Sequence, residues 1–395
     1  MIADDRRTTC GRVLHGGAVA LLTTVLLGCQ TLPSRLVSPP ATTFAASSSR
    51  VPVPSGPLGS GSSPAPIELH SLNERYVPAS SLRSQPGQLV WSAGLEWPSE
   101  VWRYVPGAAE PERLFVSPRD DANITDVVAS QGGYAFVESS ESGFGAGGWR
   151  VWFLAELGAE PVEIDRGLAS GAGHAPTIAM DDVRIVWAGF DEPESGPVSL
   201  LRTTTVDDLD TATTLLEAPI RDRLLWYPAL NGDELWFATI VADFEQTGVG
   251  DEFHIEMLDL GDPGASPVEF PGVANDFHPV VDDRFIVWKT TSAGDAALNW
   301  GTLHVLDRRT EARLTIPVPD ANRPSLGDRY VAFDEIGFDS LAVYDLVARK
   351  VVDLRRSWAA GGIHYGGQSI SGRLLSFFTQ VDGGLPQIGW AILPE

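Results

Sequence analysis

The stretch that decides the fold is Pro279-Val280-Val281-Asp282-Asp283-Arg284-Phe285-Ile286-Val287-Trp288. Apolar residues flank an acidic turn, the pattern of two strands joined by a tight hairpin. Leu303-His304-Val305-Leu306-Asp307 and Ala312-Arg313-Leu314-Thr315-Ile316 follow and read as a third and a fourth strand. The same unit returns downstream as Pro324-Ser325-Leu326-Gly327-Asp328-Arg329-Tyr330-Val331-Ala332-Phe333, and upstream as Pro228-Ala229-Leu230-Asn231-Gly232-Asp233. Its second strand ends at Val90-Trp91, Ala135-Phe136, Val186-Trp187, Trp236-Phe237, Val287-Trp288, Ala332-Phe333 and Ser376-Phe377. The period of roughly 45 to 51 residues belongs to a propeller blade.

The sequence therefore predicts an all-β chain, a seven-bladed β-propeller of four-stranded antiparallel blades spanning residues 66–395. The last copy offers only Gln368–Ser371, Leu374–Thr379 and Gln387–Leu393. Pro66-Ile67-Glu68-Leu69 repeats the fourth-strand pattern of Pro267-Val268-Glu269-Phe270 and Val351-Val352-Asp353-Leu354. The last blade is thus expected to be closed by an N-terminal strand, which removes an exposed sheet edge. Trp91, Trp187, Trp288, Phe136 and Phe333 share one blade position and are expected to pack between blades. Trp97, Trp149, Trp300 and Trp358 are placed in loops, as loop packing or as a stacking surface.

Residues 1–28 read as an export signal: Arg6, Arg7 and Arg12 precede an apolar run from Val13 to Leu27. The run ends in Leu26-Leu27-Gly28-Cys29, which resembles the bacterial lipobox. That resemblance implies a lipoprotein whose Cys29 thiol takes a diacylglyceryl group, with acyl chains such as palmitate as the membrane anchor. Residues 29–65 are dominated by Ser, Pro, Ala, Thr and Gly. Such a composition buries too little apolar surface to offset chain entropy, so a disordered tether is expected. The other cysteine, Cys10, lies in the segment to be removed, so no disulfide or Cys-based metal site is expected in the folded body.

The formal net charge is −24, with 52 acidic against 28 basic residues, and Lys occurs only at Lys289 and Lys350. A nucleic-acid partner is excluded on this balance, because such affinity comes from Lys and Arg meeting phosphate. Asp181-Asp182, Asp282-Asp283 and Asp207-Asp208-Leu209-Asp210 read as turn residues or, by composition alone, as calcium ligands.

The motif Pro-x-apolar-x-Gly/Asp-Asp-x-apolar-Val/Ala-Trp/Phe is similar to the blade repeat of TolB-like and WD40-like β-propellers of bacterial envelope proteins. In the layout the resemblance implies, residues around the blade proline begin the innermost strand and face the mouth of the central channel. Those places hold Asp126, His174, Tyr227, His278 and Arg323, with His364 slightly earlier in the last copy. Three imidazoles, an arginine and a carboxylate converging there would bind a divalent metal or an anion; alternatively each His hydrogen-bonds locally at a strand start.

No nucleophile elbow, His-Glu-x-x-His or Gly-rich phosphate loop is present, so no catalytic residue and no cofactor is assigned. The expectation is a monomeric, extracytoplasmic lipoprotein of the bacterial cell envelope, a non-catalytic binding or scaffolding protein for an envelope protein or glycan. The alternative is a metal-dependent polysaccharide lyase or hydrolase of the oligogalacturonate lyase-like propeller type, which the fold resemblance suggests.

Overall fold

The computed structural model describes residues 67–72, 78–94, 98–140, 147–169, 175–241, 252–270, 275–291, 301–318, 321–335, 341–352, 354, 363–381 and 387–395. The chain separates into two units, Met1–Ser62 and Ser63–Glu395, and all described residues belong to the second. The signal segment, Cys29 and the tether lie outside the described residues, as do His174, Trp97, Trp300 and Trp358.

Every regular element among the described residues is a strand. β1 is Leu69–Ser71, and β2 to β5 are Pro78–Gln85, Gln88–Ala93, Glu100–Tyr104 and Glu112–Val116. β6 to β9 are Asn123–Ser130, Gly133–Ser139, Gly147–Leu154 and Val162–Ala169. β10 to β13 are Thr177–Met180, Arg184–Asp191, Val198–Thr205 and Asp208–Pro219. β14 to β17 are Leu224–Asn231, Glu234–Val241, Glu252–Asp259 and Val268–Glu269. β18 to β21 are Asp276–Val281, Phe285–Thr291, Gly301–Asp307 and Ala312–Thr315. β22 to β25 are Ala321–Leu326, Tyr330–Glu335, Leu341–Asp345 and Lys350–Val352. β26 to β28 are Ile363–Ser371, Leu374–Val381 and Gln387–Ile392.

Each group from β2 onward is an antiparallel meander in chain order, and a single pairing, Gly301 opposite Ala321, joins β18–β21 to β22–β25. β1 pairs with β28, placing Leu69, His70 and Ser71 opposite Ala391, Trp390 and Gly389. This strand starts at Leu69 rather than Pro66, and Ile67 contributes by packing on the buried cluster of Tyr330, Phe377 and Leu393. The innermost strands touch in succession, β2 to β6, β10, β14, β18, β22 and β26, and β26 touches β2. The architecture is a β-propeller.

Burial explains the sequence pattern. Second strands are covered on both faces: every residue of β7 is buried, and β11 is buried from Ile185 to Phe190. Near-continuous apolar runs result, while outer strands such as β17, β21 and β25 are mostly exposed. The motif aromatics are the inter-sheet wedges. Phe136 packs with Val90 and Val101 of the preceding sheet, Trp187 with Val137 and Val151, Phe333 with Val287 and Val305. Trp91 packs with Leu374 and Ile388, from the far end of the chain. The turn aspartates act on the backbone: Asp282 Oδ1 accepts from the amides of Arg284 and Phe285 at 2.7 and 2.6 Å, and Asp181 Oδ1 accepts from Val183 and Arg184.

Trp149 departs from the expectation of a loop. It lies in β8, is 1% exposed, and donates its indole N–H to the Phe190 carbonyl at 2.7 Å. The loop assignment failed because β8 begins at Gly147, inside the segment read as a connection. A side chain as large as indole fits only because Gly167 and Gly189 stand against it; a Cβ at Gly167 would lie 2.4 Å from the ring. Gly167→Ala should therefore cost about 1–3 kcal/mol in chemical denaturation through overpacking. Gly148→Ala, whose Cβ meets nothing nearer than 3.9 Å, should stay within about 0.5 kcal/mol of the parent.

Candidate functional site

Proline within a strand cannot donate to the ladder, and here it sits at a bulge that recurs on successive inner strands. The register slips between Trp226 and Ala229 in β14, between Phe277 and Val280 in β18, and between Asn322 and Ser325 in β22. At each slip the residue before the proline is left-handed: Tyr227 at φ 48°, His278 at 56° and Arg323 at 46°. β26 slips between Gly366 and Ser369, with Gly367 at 58° in the same place. These residues sit within the innermost strands, not at their starts as expected, because pairing resumes on the N-terminal side of the bulge. A left-handed conformation costs a non-glycine residue of the order of 1 kcal/mol, and such positions concentrate at functional sites.

Asp126 shares this slot but is held differently. In β6 the slip comes one residue earlier, between Ile124 and Asp126; Val128 opposite Ala135 matches Ala229 opposite Trp236, so Asp126 corresponds to Tyr227 and Val127 to Pro228. Its carboxylate is buried and fully engaged. Oδ1 accepts from Ser81 Oγ and the Arg83 guanidinium, both at 3.2 Å, and from its neighbour's amide, Val127 N, at 3.0 Å. Oδ2 accepts from Ile178 N of β10 at 3.3 Å. Asp126 thus ties three inner strands together. Thr177 Oγ1 continues the pattern by accepting from Tyr227 N at 3.2 Å.

Trp226, Tyr227 and His278 form one stack, with centroids 5.0 and 4.2 Å apart and ring planes within 8°. Phe277 meets the edges of both Tyr227 and His278. Burial pushes the Tyr227 hydroxyl up, so it stays protonated. Burial, with the positive charges of Lys289, Arg83 and Arg323, holds His278 well below the usual imidazole range, so it is neutral near pH 7. Beneath the stack, Lys289 is fully buried and donates to Asn322 Oδ1 at 2.7 Å, an oxygen that also accepts from Arg323 N at 2.9 Å. Burial and then Arg323 bring its ammonium down to about 7. Asp334, one sheet on in the slot equivalent to Lys289, is pushed up by burial, partly offset by Arg323 and Gln368.

Arg323 differs from these neighbours: it is exposed, and its guanidinium has no ion-pair or hydrogen-bond partner among the described residues. His364 lies in β26 opposite Gln380, three residues before the left-handed position, and so does not share the slot of His278. Among the described residues no three His, Cys, Asp or Glu side chains gather with metal-ligand spacing; His174 and the side chain of His364 lie outside that set. The structure brings together Asp126, Tyr227, His278 and Arg323, and adds Arg83, Lys289, Asn322 and Gln368, which sequence reasoning missed. Lys289 left one trace, a charge directly after the motif aromatic, as Asp334 is after Phe333.

No family model and no curated protein sequence matches the chain. Solved structures do. The β-propeller domain of the Trilobed protease from Pyrococcus furiosus, described as having an open velcro topology, matches with TM-score 0.54 and 10% identity, over 80% of this chain and 93% of that one. Oligogalacturonate lyase from Vibrio parahaemolyticus matches with TM-score 0.55 and 9% identity, over 84% and 98%. The acylaminoacyl peptidase of Pyrococcus horikoshii matches with TM-score 0.56 and 11% identity over 80% of this chain, which spans about half of that enzyme (51%). At these identities the likeness establishes the β-propeller fold.

Two measurements test the site's construction. Asp126→Ala leaves donors on three strands unsatisfied and should cost about 2–3 kcal/mol, whereas Arg323→Ala should cost under about 0.5 kcal/mol. Equal effects in urea denaturation would show that Asp126 is not a tie. Lys289 binds fewer protons folded than unfolded between its folded value of about 7 and its ordinary 10.5, so its contribution to stability rises with pH across that window. The stability difference between wild type and Lys289→Met should therefore rise by about 1 kcal/mol per pH unit between about pH 7.5 and 10; a flat difference means the ammonium is not desolvated.

Proposed function

We propose that this chain is a membrane-tethered, extracytoplasmic β-propeller lipoprotein that binds an envelope protein or glycan without transforming it. In this reading residues 1–28 are removed, lipidated Cys29 anchors the chain, residues 29–65 are the tether, and residues 66–395 form a monomeric seven-bladed ring closed by β1. The β1–β28 pairing and the unbroken succession of inner-strand contacts support the ring. The lipobox-like Leu26-Leu27-Gly28-Cys29 supports the anchor.

The observation that carries the binding role is the shared bulge that presents Tyr227, His278 and Arg323 on neighbouring inner strands. A protonated phenol and an imidazole held neutral keep their charge near pH 7, so they offer fixed donors and a flat face instead of a proton relay. Lys289, whose charge does change near neutrality, is sealed beneath them on Asn322.

Cys29→Ala should move the protein from the membrane to the soluble fraction on cell fractionation; retention in the membrane would remove the lipid anchor from this account. Incubated with acidic oligosaccharides and divalent metal, the full chain should release no unsaturated or shortened products. Any product formation that depends on His278 or His364 would replace the binding role with the lyase or hydrolase alternative.

A further inference from the structure

The register of β18–β21 puts Asp276, Trp288, Thr290, His304, Arg313 and Thr315 on one face of their sheet. Thr290 stands opposite Asp276, His304 opposite both Trp288 and Thr315, and Arg313 opposite Leu306, and residues two apart on a strand share a face. That face looks toward β14–β17: Trp288 packs with Trp236 and Ile255, and Phe270 meets it edge-to-face at 5.2 Å. A cavity of about 120 Å³ opens on it, lined by these six residues and Leu314. Its origin is a short outer strand on the facing sheet. In the corresponding row of β10–β13, Trp187 and Arg202 are closed by the facing eight-residue β9, whose Asp165 accepts from the Trp187 indole at 2.8 Å and from Arg202 at 2.9 Å. β17 has only two residues, and its Glu269 meets His254 of its own sheet at 3.1 Å.

The polar groups of the cavity are held in place by their neighbours. Thr290 Oγ1 donates to Asp276 Oδ1 at 2.6 Å, and Asp276 is buried. His304 stacks on Trp288 with centroids 5.5 Å apart, and its Nδ1 meets Thr315 Oγ1 at 3.2 Å. The exposed Arg313 lies over the rings of Trp288 and Phe270, at 5.8 and 5.6 Å, a cation–π contact that restrains its guanidinium. Burial holds His304 below the usual imidazole range, with Asp276 opposing and Arg313 adding to the shift, so the ring is neutral near pH 7.

We propose that this cavity receives the acetamido group of an N-acetylated amino sugar, with Asp276 accepting from its N–H, Arg313 donating to its carbonyl, and Trp288 and Leu314 meeting its methyl. The assignment rests on the glycan-binding side of the role above. The volume is smaller than the roughly 150 Å³ that encloses one benzene, so the cavity takes a short substituent while the sugar ring stays at its rim. One acid and one guanidinium, on the inner and outer strands of the same sheet, suit a neutral group with a donor and an acceptor. A lone carboxylate would face Asp276, and a lone ammonium would face Arg313. A zwitterion would answer both charges, but it would have two ions to desolvate and little to set against Trp288 and Leu314.

The test is saturation-transfer NMR of the full chain with N-acetylglucosamine, glucosamine and glucose. N-acetylglucosamine should bind with its strongest saturation at the acetyl methyl, and the other two sugars should show no transfer. Arg313→Gln should weaken binding about tenfold or more. Thr315→Phe, which fills the cavity from its exposed rim and keeps Asp276 and Arg313, should abolish it. Arg221→Gln, an exposed arginine on another sheet, should leave it unchanged. Unaltered far-ultraviolet circular dichroism of the variants keeps the comparison on the cavity. Absence of binding, equal transfer to glucose or glucosamine, saturation strongest on the sugar ring, or undiminished binding by the Thr315→Phe chain would each overturn the proposal. Displacement of N-acetylglucosamine by glycine or acetate at lower concentration would overturn it too. The outcome is separable from the broader role. Failure with N-acetylglucosamine while a glycan lacking acetamido groups still binds removes this assignment alone, and turnover of that glycan removes the non-catalytic role while the selectivity of the cavity stands.

Discussion

The structure depends on side chains of one inner strand satisfying the backbone of the next. A meander buries its apolar faces against neighbouring meanders, but its innermost strand runs where strands converge, and each bulge there frees amides that a regular ladder would have paired. In this chain Ser81 and Asp126 join β2 to β6, and Asp126 reaches Ile178 N in β10. Thr177 takes Tyr227 N in β14, and Ser325 takes Ile370 N in β26 at 2.9 Å. Ser84 donates to the Ser369 carbonyl at 2.9 Å, joining β2 to β26. Hydrophobic wedges such as Trp91 and Phe136 supply most of the cohesion between sheets, and this polar belt fixes the register in which they meet.

Between β14 and β22 the belt changes character. Where the other junctions use short hydroxyls and a carboxylate, this one uses the stack of Tyr227 on His278 and the buried Lys289–Asn322 bond. Aromatic rings and an ammonium span a wider gap than a serine hydroxyl. An ammonium in so dry a place is costly, and nothing in the packing of a propeller requires a lysine there: Ala238 occupies the equivalent slot in β15 and is equally buried. The departure from the repeat is local, and it lies next to the exposed Arg323.

The legible part of this architecture was whatever repeats. Pro279 to Trp288 announced a hairpin, its echoes announced the sheets, and the resemblance of Pro66–Leu69 to other fourth strands pointed to a pairing near the chain's end, which β1 makes with β28 from Leu69 onward. Each of these signals is a pattern of burial, and burial is what a hydrophobic sequence encodes directly. Asp126 and Tyr227 share one slot of the motif, yet the bulge in β6 comes one residue earlier than in β14, because a slip of the ladder leaves no mark on apolar periodicity. Trp149 was read as a loop residue, yet Gly147 and Gly148 begin a strand, and the glycines that make room for the indole are Gly167 and Gly189. Arg83 and Gln368 carried no signal, since their roles arise from strands far apart in the chain meeting at one place.

The same reasoning separates what holds this site from what it offers. Asp126 satisfies donors from three strands and has no capacity left, so its conversion to a ligand group would undo the belt. Tyr227 has both ring faces covered, by Trp226 and His278, and retains only its edge and hydroxyl. His278 stacks on Tyr227, and Arg323 is exposed. Capacity for an outside partner is therefore least at Asp126 and greatest at Arg323. A recognition surface on this propeller begins where the belt stops consuming its own polar groups.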